Sequence, residues 1–234
     1  MPPRQHVFLL HGLGRSPRSL RPIEQLLKGA GFSVSNWGYR SLRQPLEEVA
    51  RNLRAAYLAQ SQQVEQIHVV THSLGAIVLR CALKQAELPK LGRIVMLAPP
   101  NQGSHLARVL SRNRLIGQLL GPAAPVLSDP SKLQALCCEP SAPTCIIAGT
   151  HAHDLRNPIS LIRRFLLPAE HDGTLAVAET KQPTMARFRT VKACHTWIMH
   201  HPEVQQELLA FLRPPEPPAP SPELAHRNKA RPPD

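Results

Sequence analysis

Short apolar segments recur along the chain and alternate with longer segments in which apolar residues return every three or four positions. The short segments are typical of buried β-strands, and the longer ones are typical of helices that bury one face. This pattern predicts six strands, near residues 6–10, 33–37, 67–71, 93–98, 144–149 and 187–192. Because strands and helices alternate, we predict an α/β fold built on a doubly wound, mostly parallel six-stranded sheet.

Two of the predicted helices have especially regular apolar stripes. The helix between Pro45 and Gln60 places five apolar residues on one face: Leu46, Val49, Ala50, Leu53 and Tyr57. The last helix carries four on one face: Val204, Leu208, Phe211 and Leu212. We expect both helices to pack against the sheet through these faces.

Length and composition indicate one folded domain followed by a tail. The chain has 234 residues, 42% of them hydrophobic, which is enough for one sizeable core. Residues 1–213 are predicted to form that single domain. Residues 214–234 contain eight prolines and almost no large apolar side chains, so we expect a Pro-rich disordered tail. A ligand for a domain that binds Pro-rich segments is the alternative.

The formal net charge of +12 belongs to the predicted domain, because the tail holds three basic and three acidic residues. A basic domain can be attracted to anionic membrane surfaces, nucleic acid or acidic substrates. The basic residues are scattered, and only two Trp, two Tyr and five Phe are present to stack on bases. We therefore expect no specific nucleic-acid binding, and at most a weak association with an anionic membrane surface.

Nothing in the sequence predicts export or a membrane span. No apolar segment reaches the roughly 18 residues that a spanning helix needs. The apolar run that follows Arg4 is interpreted as the first core strand and not as a signal sequence. Five cysteines without C-x-x-C spacing fit a reducing compartment, so a cytoplasmic location is expected.

The run Thr71-His72-Ser73-Leu74-Gly75 joins the predicted third strand to a helical segment. A serine on a sharp strand-to-helix turn, with small residues beside it, is what a nucleophile elbow requires. Gly75 leaves room for the helix to pass close to the strand, whereas Thr71 departs from the first glycine of G-x-S-x-G. An ordinary helix start after a buried strand is the alternative.

A second turn, His11-Gly12-Leu13-Gly14, follows the first predicted strand. When an elbow serine attacks a carbonyl, one N–H that binds the oxyanion comes from the residue after the serine, and another comes from the loop after an early strand. Leu74 and Leu13 are the candidates for these two donors. A structural strand-to-helix turn would also use glycines.

Asp172 and His195 follow Ser73 in the chain order nucleophile, acid, histidine. His195 would take the proton from Ser73 and return it to the leaving group, while Asp172 would fix the tautomer and stabilise the imidazolium. Among twelve histidines, His195 is preferred because it follows a predicted strand and precedes the last helix. Asp154, which follows the fifth predicted strand, is the alternative acid.

Together these motifs resemble those of the α/β-hydrolase superfamily, and in particular its small lipase- and esterase-like bacterial members. The matching segments are residues 11–14, 71–75, 98–104, 171–174 and 195–196, within a span of about residues 6–212. The resemblance implies a minimal α/β-hydrolase fold with a serine nucleophile, an acid on the Asp-Gly loop and a base before the last helix. Residues 1–213 would then form the catalytic domain.

The predicted function is that of a serine hydrolase that cleaves small-molecule carboxylic esters, as a lipase-like esterase does, through an acyl-Ser73 intermediate and without a cofactor. A thioesterase or amidase would use the same triad, and a non-catalytic protein of this fold would bind a lipid or a partner. The run His151-Ala152-His153-Asp154 lacks the further ligands of a closed metal site, so no metal is predicted.

Two segments carry apolar residues at helical spacing and are candidates for a wall or flap over an acyl chain. They are residues 101–143, with Leu106, Val109, Leu110, Ile116 and Leu120, and residues 152–168, with Leu155, Ile159, Ile162, Phe165 and Leu166. Ordinary core packing is the alternative use of these side chains.

Overall fold

The computed structural model describes residues 5–152 and 170–213. Within them lies one sheet of six strands: β1 (Gln5–Leu10), β2 (Ser33–Trp37), β3 (Gln66–His72), β4 (Leu91–Leu97), β5 (Thr144–Gly149) and β6 (Arg187–Val191). The strand order is β2-β1-β3-β4-β5-β6, and all five neighbouring pairs are parallel. The predicted α/β class and parallel sheet are therefore confirmed.

Helices connect the strands in the alternating manner that the sequence predicts. In the described residues they are α1 (Arg21–Gly29), α2 (Leu46–Ser61), α3 (Leu74–Gln85), α4 (His105–Ser111), α5 (Arg114–Leu119), α6 (Ala124–Leu127), α7 (Pro130–Leu136), α8 (Val177–Thr180) and α9 (Pro202–Leu212). Two short 3₁₀ helices cover Pro17–Leu20 and Ile198–His200. The stripe residues predicted for α2 and α9 are all buried.

The sheet has a separate hydrophobic core on each face. Successive side chains of a strand point to opposite faces, so Phe8 and Leu10 of β1 join one core, whereas Val7 and Leu9 join the other. Helices α2 and α3 cover the first face, and α1 and α9 cover the second. Helices on both faces explain why the inner strands β1, β3, β4 and β5 are mostly apolar, and they make the sheet doubly wound.

All the candidate chemical motifs meet at one edge of this sheet. The loops that begin after β1, β3, β4, β5 and β6 leave from the same edge, because parallel strands all end there. In open α/β sheets, ligands bind in the crevice outside these carboxyl ends. The fold therefore brings the motifs together, although they are far apart in the sequence.

Residues 101–143 connect β4 to β5 through four short helices, α4 to α7, instead of one or two long ones. Gly121 has a positive φ of 72°, and Pro125 and Pro130 lie in the first turns of α6 and α7. Glycine in this conformation ends a helix, and proline is tolerated only in a first turn. These residues divide the segment into short helices.

Several predictions concern residues outside the described ranges. They include the predicted wall or flap at 152–168, of which only Ala152 is described, the predicted disordered tail at 214–234 and the position of the alternative acid Asp154. No helix within residues 5–152 and 170–213 has the length and apolar content needed to cross a bilayer.

Six histidines of the described residues are buried, and burial lowers the pKa of four of them: His6, His11, His68 and His72. For His68, burial and, to a smaller extent, the positive charge of Arg93 lower the pKa to about 4. The Nδ1 atom of His68 accepts the backbone N–H of Arg93 at 2.8 Å, so the neutral ring fits this position. Protonating Nδ1 would break that hydrogen bond.

The buried histidines predict a loss of stability in acid. A histidine whose pKa is lower in the folded state favours folding above the unfolded pKa, and this contribution disappears as the pH falls toward the folded pKa. For His68 that window runs from about 6.5 to about 4. Acidification to about pH 4.5 should therefore lower the free energy of unfolding by about 2 kcal/mol through His68 alone, as denaturant titration would measure.

The contribution of His68 can be separated from that of the other groups with a substitution. The variant His68→Gln should show a shallower loss of stability between neutral and acidic pH, whereas His200→Gln, at an exposed position, should follow the unmodified protein. The same slope in all three proteins would contradict the prediction.

Candidate active site

Ser73 occupies a sharp turn between β3, which ends at His72, and α3, which begins at Leu74. Its φ of 50° and ψ of −121° are unusual for a residue other than glycine. Two hydrogen bonds fix this backbone, since the Ser73 N–H donates to the Leu97 carbonyl at 2.9 Å, and its carbonyl accepts from the Ala76 N–H at 3.0 Å. The hydroxyl is thereby presented to a cavity.

Two glycines allow the chain to pack closely around this turn. A Cβ atom at Gly75 would collide with the carbonyl oxygen of Leu10 in β1. A Cβ atom at Gly12 would lie 2.9 Å from Nδ1 of His72 and 3.1 Å from Cβ of Ser73. Both positions need a residue without a side chain. Thr71, in contrast, is fully buried within β3, where a side chain fits.

Ser73, His195 and Asp172 form a continuous chain of hydrogen bonds. The Oγ atom of Ser73 lies 3.0 Å from Nε2 of His195, and Nδ1 of His195 lies 2.7 Å from Oδ2 of Asp172. Because a carboxylate can only accept, Nδ1 carries the proton and Nε2 is left to accept from the hydroxyl. The structure thus brings the three residues into the geometry that nucleophilic catalysis uses.

The carboxylate of Asp172 is held from both sides. Its second oxygen, Oδ1, accepts the backbone N–H of Thr174 at 2.9 Å and that of Leu175 at 2.7 Å. The loops of the acid and the base are also tied together, because the His195 N–H donates to the Asp172 carbonyl at 2.9 Å. With the carboxylate and the loop both fixed, the imidazole has a defined orientation.

His72 has a contact that the sequence did not indicate. Its Nε2–H donates to the carbonyl oxygen of His195 at 3.0 Å, and the two ring centroids are 5.0 Å apart. Burial, reinforced by the nearby His195, lowers the pKa of His72 well below its usual range, so the ring stays neutral. The only sequence signal was its place directly before Ser73. His72 links the end of β3 to the loop that carries the base.

Leu13 and Leu74 are the residues predicted to donate N–H groups to an oxyanion. Leu74 is the first residue of α3, where backbone N–H groups have no helical partner and the helix dipole favours negative charge. Leu13 lines the same cavity as Ser73 and His195. The Leu13 loop is fixed because the Gly14 N–H donates to Oγ of Ser41 at 2.9 Å. The role of both N–H groups as oxyanion donors stays a prediction.

A cavity of about 310 Å³ opens in front of Ser73 and His195. Its walls are mainly apolar, and the segment 101–143 supplies several of them, including Leu106, Ala107, Leu110, Leu120, Ala124 and Leu127. The predicted wall at 101–143 therefore lies beside the candidate nucleophile. Of the residues named for it, Leu106, Leu110 and Leu120 line the cavity, Val109 does not, and the side chain of Ile116 is outside what the structure describes.

The candidate metal run and the alternative acid are only partly described. His151 and Ala152 lie within the structure, while His153 and Asp154 lie outside it. In the part of the chain that the structure describes, no three His, Cys, Asp or Glu side chains are grouped so that they could hold a metal ion.

Known proteins resemble the chain in sequence pattern and in fold. Residues 7–223 match the model of the alpha/beta hydrolase family. The mature lipase BlEst2 of Bacillus licheniformis is 18% identical, with a TM-score of 0.73, over 91% of this chain and 92% of that one. The phospholipase PlaB of Legionella pneumophila is 18% identical, with a TM-score of 0.64, over 90% of this chain and 59% of that one.

A metagenomic carboxyl esterase is 17% identical, with a TM-score of 0.62, over 83% of this chain and 65% of that one. The chain thus spans nearly all of the mature Bacillus lipase, but less than two-thirds of the phospholipase and of the carboxyl esterase. No curated protein matches the sequence. At these identities the solved structures show a shared fold, and the family model covers most of the chain. The chain belongs to the alpha/beta hydrolase family.

Proposed function

We propose that the protein is a serine hydrolase that cleaves carboxylic esters through an acyl-Ser73 intermediate. The observation that carries this proposal is the hydrogen-bond chain from Oγ of Ser73 through His195 to Asp172, with distances of 3.0 and 2.7 Å. Ser73, at one end of this series of hydrogen bonds, faces a mainly apolar cavity that can accept an acyl group. The names of the structural neighbours, a lipase, a phospholipase and a carboxyl esterase, support the same class of substrate.

In the first half of the reaction, Oγ of Ser73 attacks the ester carbonyl while Nε2 of His195 takes the hydroxyl proton. Asp172 stabilises the imidazolium through the Nδ1–H bond and is not itself protonated. The carbonyl oxygen becomes an oxyanion, which the N–H groups of Leu13 and Leu74 would bind. The C–O bond to the alcohol then breaks, and His195 returns its proton to the departing oxygen.

In the second half, water attacks the acyl-Ser73 ester from the side that the alcohol has left. His195 again accepts the proton, now from water, and the same oxyanion donors serve the second tetrahedral intermediate. Collapse of that intermediate releases the carboxylic acid and returns the proton to Ser73. The structure needs no further group for either half, so neither a metal nor an organic cofactor is part of the proposal.

The proposal is tested by labelling with a fluorophosphonate and locating the modified peptide by mass spectrometry. Labelling should occur at Ser73, because only an activated serine attacks phosphorus at a useful rate. Ser73→Ala should not label, whereas Ser16→Ala, which removes an exposed hydroxyl without a capping hydrogen bond, should label normally. A folded protein that stays unlabelled would contradict the proposal and favour a non-catalytic protein that binds a lipid or a partner.

The apolar cavity leads to a prediction about the preferred length of the acyl chain. Leu110 of α4 lines the cavity, so Leu110→Asp would place a carboxylate where an acyl chain should lie. We expect kcat/KM for octanoate esters to fall about 10- to 100-fold relative to acetate esters, which is the scale on which apolar pockets discriminate chain length. A series of p-nitrophenyl esters of increasing chain length would measure this.

A matched control for this substitution lies on the neighbouring helix. Leu119 of α5 is 76% exposed and does not line the cavity, so Leu119→Asp should leave the chain-length preference unchanged. If Leu110→Asp also leaves the preference unchanged, the acyl chain does not occupy this cavity.

A further inference from the structure

A second cavity, of about 350 Å³ and largely open to solvent, adjoins the apolar one. Gly14, Arg15 and Leu42 lie in the walls of both cavities, so the cavities meet at the loop after β1 and at one residue of the loop after β2. The second cavity differs in character, because three arginines line it: Arg15, Arg40 and Arg43. No Asp or Glu is among its lining residues. We call it the arginine cavity.

The loop that carries Arg40 and Arg43 is built against the loop after β1. The Ser41 side chain is buried and accepts the Gly14 N–H at 2.9 Å. Tyr39 stacks on His11 with ring centroids 4.3 Å apart, and its hydroxyl donates to the His11 carbonyl at 2.5 Å. These contacts fix the backbone on both sides of Arg40. The arginine cavity is therefore a formed feature of the fold, held by the same loop that carries the oxyanion donor.

Among the described residues, no acidic side chain forms an ion pair with the arginines of this cavity, Arg15, Arg40 and Arg43. The Arg15 guanidinium donates one hydrogen bond, from Nη2 to the Thr196 carbonyl at 3.2 Å, and its other N–H groups have no hydrogen-bond partner among the described residues. Three arginines that line one cavity attract an anion, and the planar forks of their guanidinium groups suit phosphate in particular.

The position of the arginine cavity relative to Ser73 determines which part of a substrate would enter it. An ester carbonyl bound at Ser73 has the acyl chain on one side and the alcohol on the other. The apolar cavity under α4 and α6 suits the acyl chain, so the adjoining arginine cavity is left for the alcohol. A neutral apolar alcohol would gain nothing from these charges, whereas a phosphorylated alcohol would.

We propose that the substrates are acyl esters of phosphorylated alcohols, with the acyl chain in the apolar cavity and the phosphate of the leaving group in the arginine cavity. This inference rests on the proposed function, since it names the substrate class of the same site. Arg40 and Arg43 are the residues that select for the phosphate. Arg15 lies on the border of both cavities and, through its bond to Thr196, next to the base.

The test compares two soluble substrates that differ only in the phosphate: 1-hexanoylglycerol and 1-hexanoylglycerol 3-phosphate, both below their micellar concentrations. The unmodified protein should have a kcat/KM at least about tenfold higher for the phosphorylated ester, with most of the difference in KM, because the phosphate contact exists before the reaction begins. The double variant Arg40→Gln/Arg43→Gln should lose this preference, because its kcat/KM for the phosphorylated ester should fall to about its kcat/KM for the neutral ester.

The control removes the same amount of charge elsewhere. Arg18 and Arg51 are exposed and line neither cavity, so Arg18→Gln/Arg51→Gln should keep the phosphate preference. An equal loss of preference in both double variants would overturn the inference, because the general field of a protein with a net charge of +12 would then explain it.

Two further outcomes are distinguishable. If the unmodified protein hydrolyses both esters at similar kcat/KM, the inference is wrong but the proposed function still stands. This conclusion would hold even if Arg40→Gln/Arg43→Gln slowed the reaction on anionic vesicles, because the arginines would then bind a membrane surface and not the substrate's phosphate. Hydrolysis of neither ester, nor of p-nitrophenyl acetate, would overturn the proposed function and the inference with it.

Discussion

Replacing Ser73 by alanine should lower kcat for ester hydrolysis by about 10⁵- to 10⁶-fold, the scale found when a serine hydrolase loses its nucleophile. Without Oγ no acyl-enzyme can form, and only direct attack by water is left. The oxyanion donors are backbone groups that survive the substitution, so a small rate above the uncatalysed reaction should persist. Steady-state assays with a p-nitrophenyl ester, on protein repurified from a lysate without other esterases, would measure this.

The structure also predicts that the losses of activity caused by replacing Ser73 and His195 do not add up. Because their side chains are hydrogen bonded at 3.0 Å and act as one unit, Ser73→Ala/His195→Ala should be about as slow as either single variant. His200→Ala, at an exposed position on the same segment as His195, should retain full activity. Losses that multiply in the double variant, or a Ser73→Ala protein with more than about a tenth of the activity, would point to a different nucleophile.

The strands were predictable because their environment is uniform. Both faces of the sheet are covered by helices, so β1, β3, β4 and β5 appear in the sequence as short apolar runs that differ clearly from the amphipathic helices. Predicted and observed strand limits agree to within about two residues. The order β2-β1-β3-β4-β5-β6 was not predictable from these runs, because it depends on the crossover that each helix makes and not on local periodicity.

The segment 101–143 shows that local sequence patterns do not determine what a helix packs against. Its apolar spacing predicted helices, but whether they cover the core or line a ligand cavity depends on how they dock onto the rest of the chain. Arg80 illustrates the difficulty. It is buried in α3, where its guanidinium donates to the carbonyls of Asn101 and Cys138 and ties both ends of this segment to the elbow helix. From sequence alone, an arginine is expected at the surface.

The site was predictable in composition and chain order, but not in its contacts. The elbow run, the Gly12 turn and the late Asp-Gly pair identified Ser73, Leu13 and Asp172, and the assignment of catalytic roles to them stays a prediction. The contacts of His72 and the arginine cavity had no sequence signal, because they arise where loops from different strands meet at the sheet edge. Asp172 was preferred to Asp154 as the acid, but the hydrogen bond from His195 to Asp172 had no sequence signal.

Replacing Asp172 by asparagine should lower kcat by about 10⁴-fold, as the same change does in serine proteases, and the structure gives a specific reason. Oδ1 of Asp172 accepts two backbone N–H groups, from Thr174 and Leu175. In an asparagine only the amide oxygen can take that place, so the NH₂ group must occupy the position of Oδ2, next to Nδ1 of His195. The amide then donates to Nδ1, which must be the unprotonated nitrogen.

In that tautomer the proton is on Nε2 of His195, the atom that has to accept the hydroxyl proton of Ser73. His195 therefore cannot act as a base, although its position is unchanged. The variant should therefore remain folded and bind a substrate analogue normally, and its rate should recover at alkaline pH, where hydroxide can replace the missing base. Asp154→Asn is the matched comparison. If Asp154→Asn caused the large loss and Asp172→Asn did not, the acid of the triad would be Asp154, and the short bond between Asp172 and His195 would be structural only.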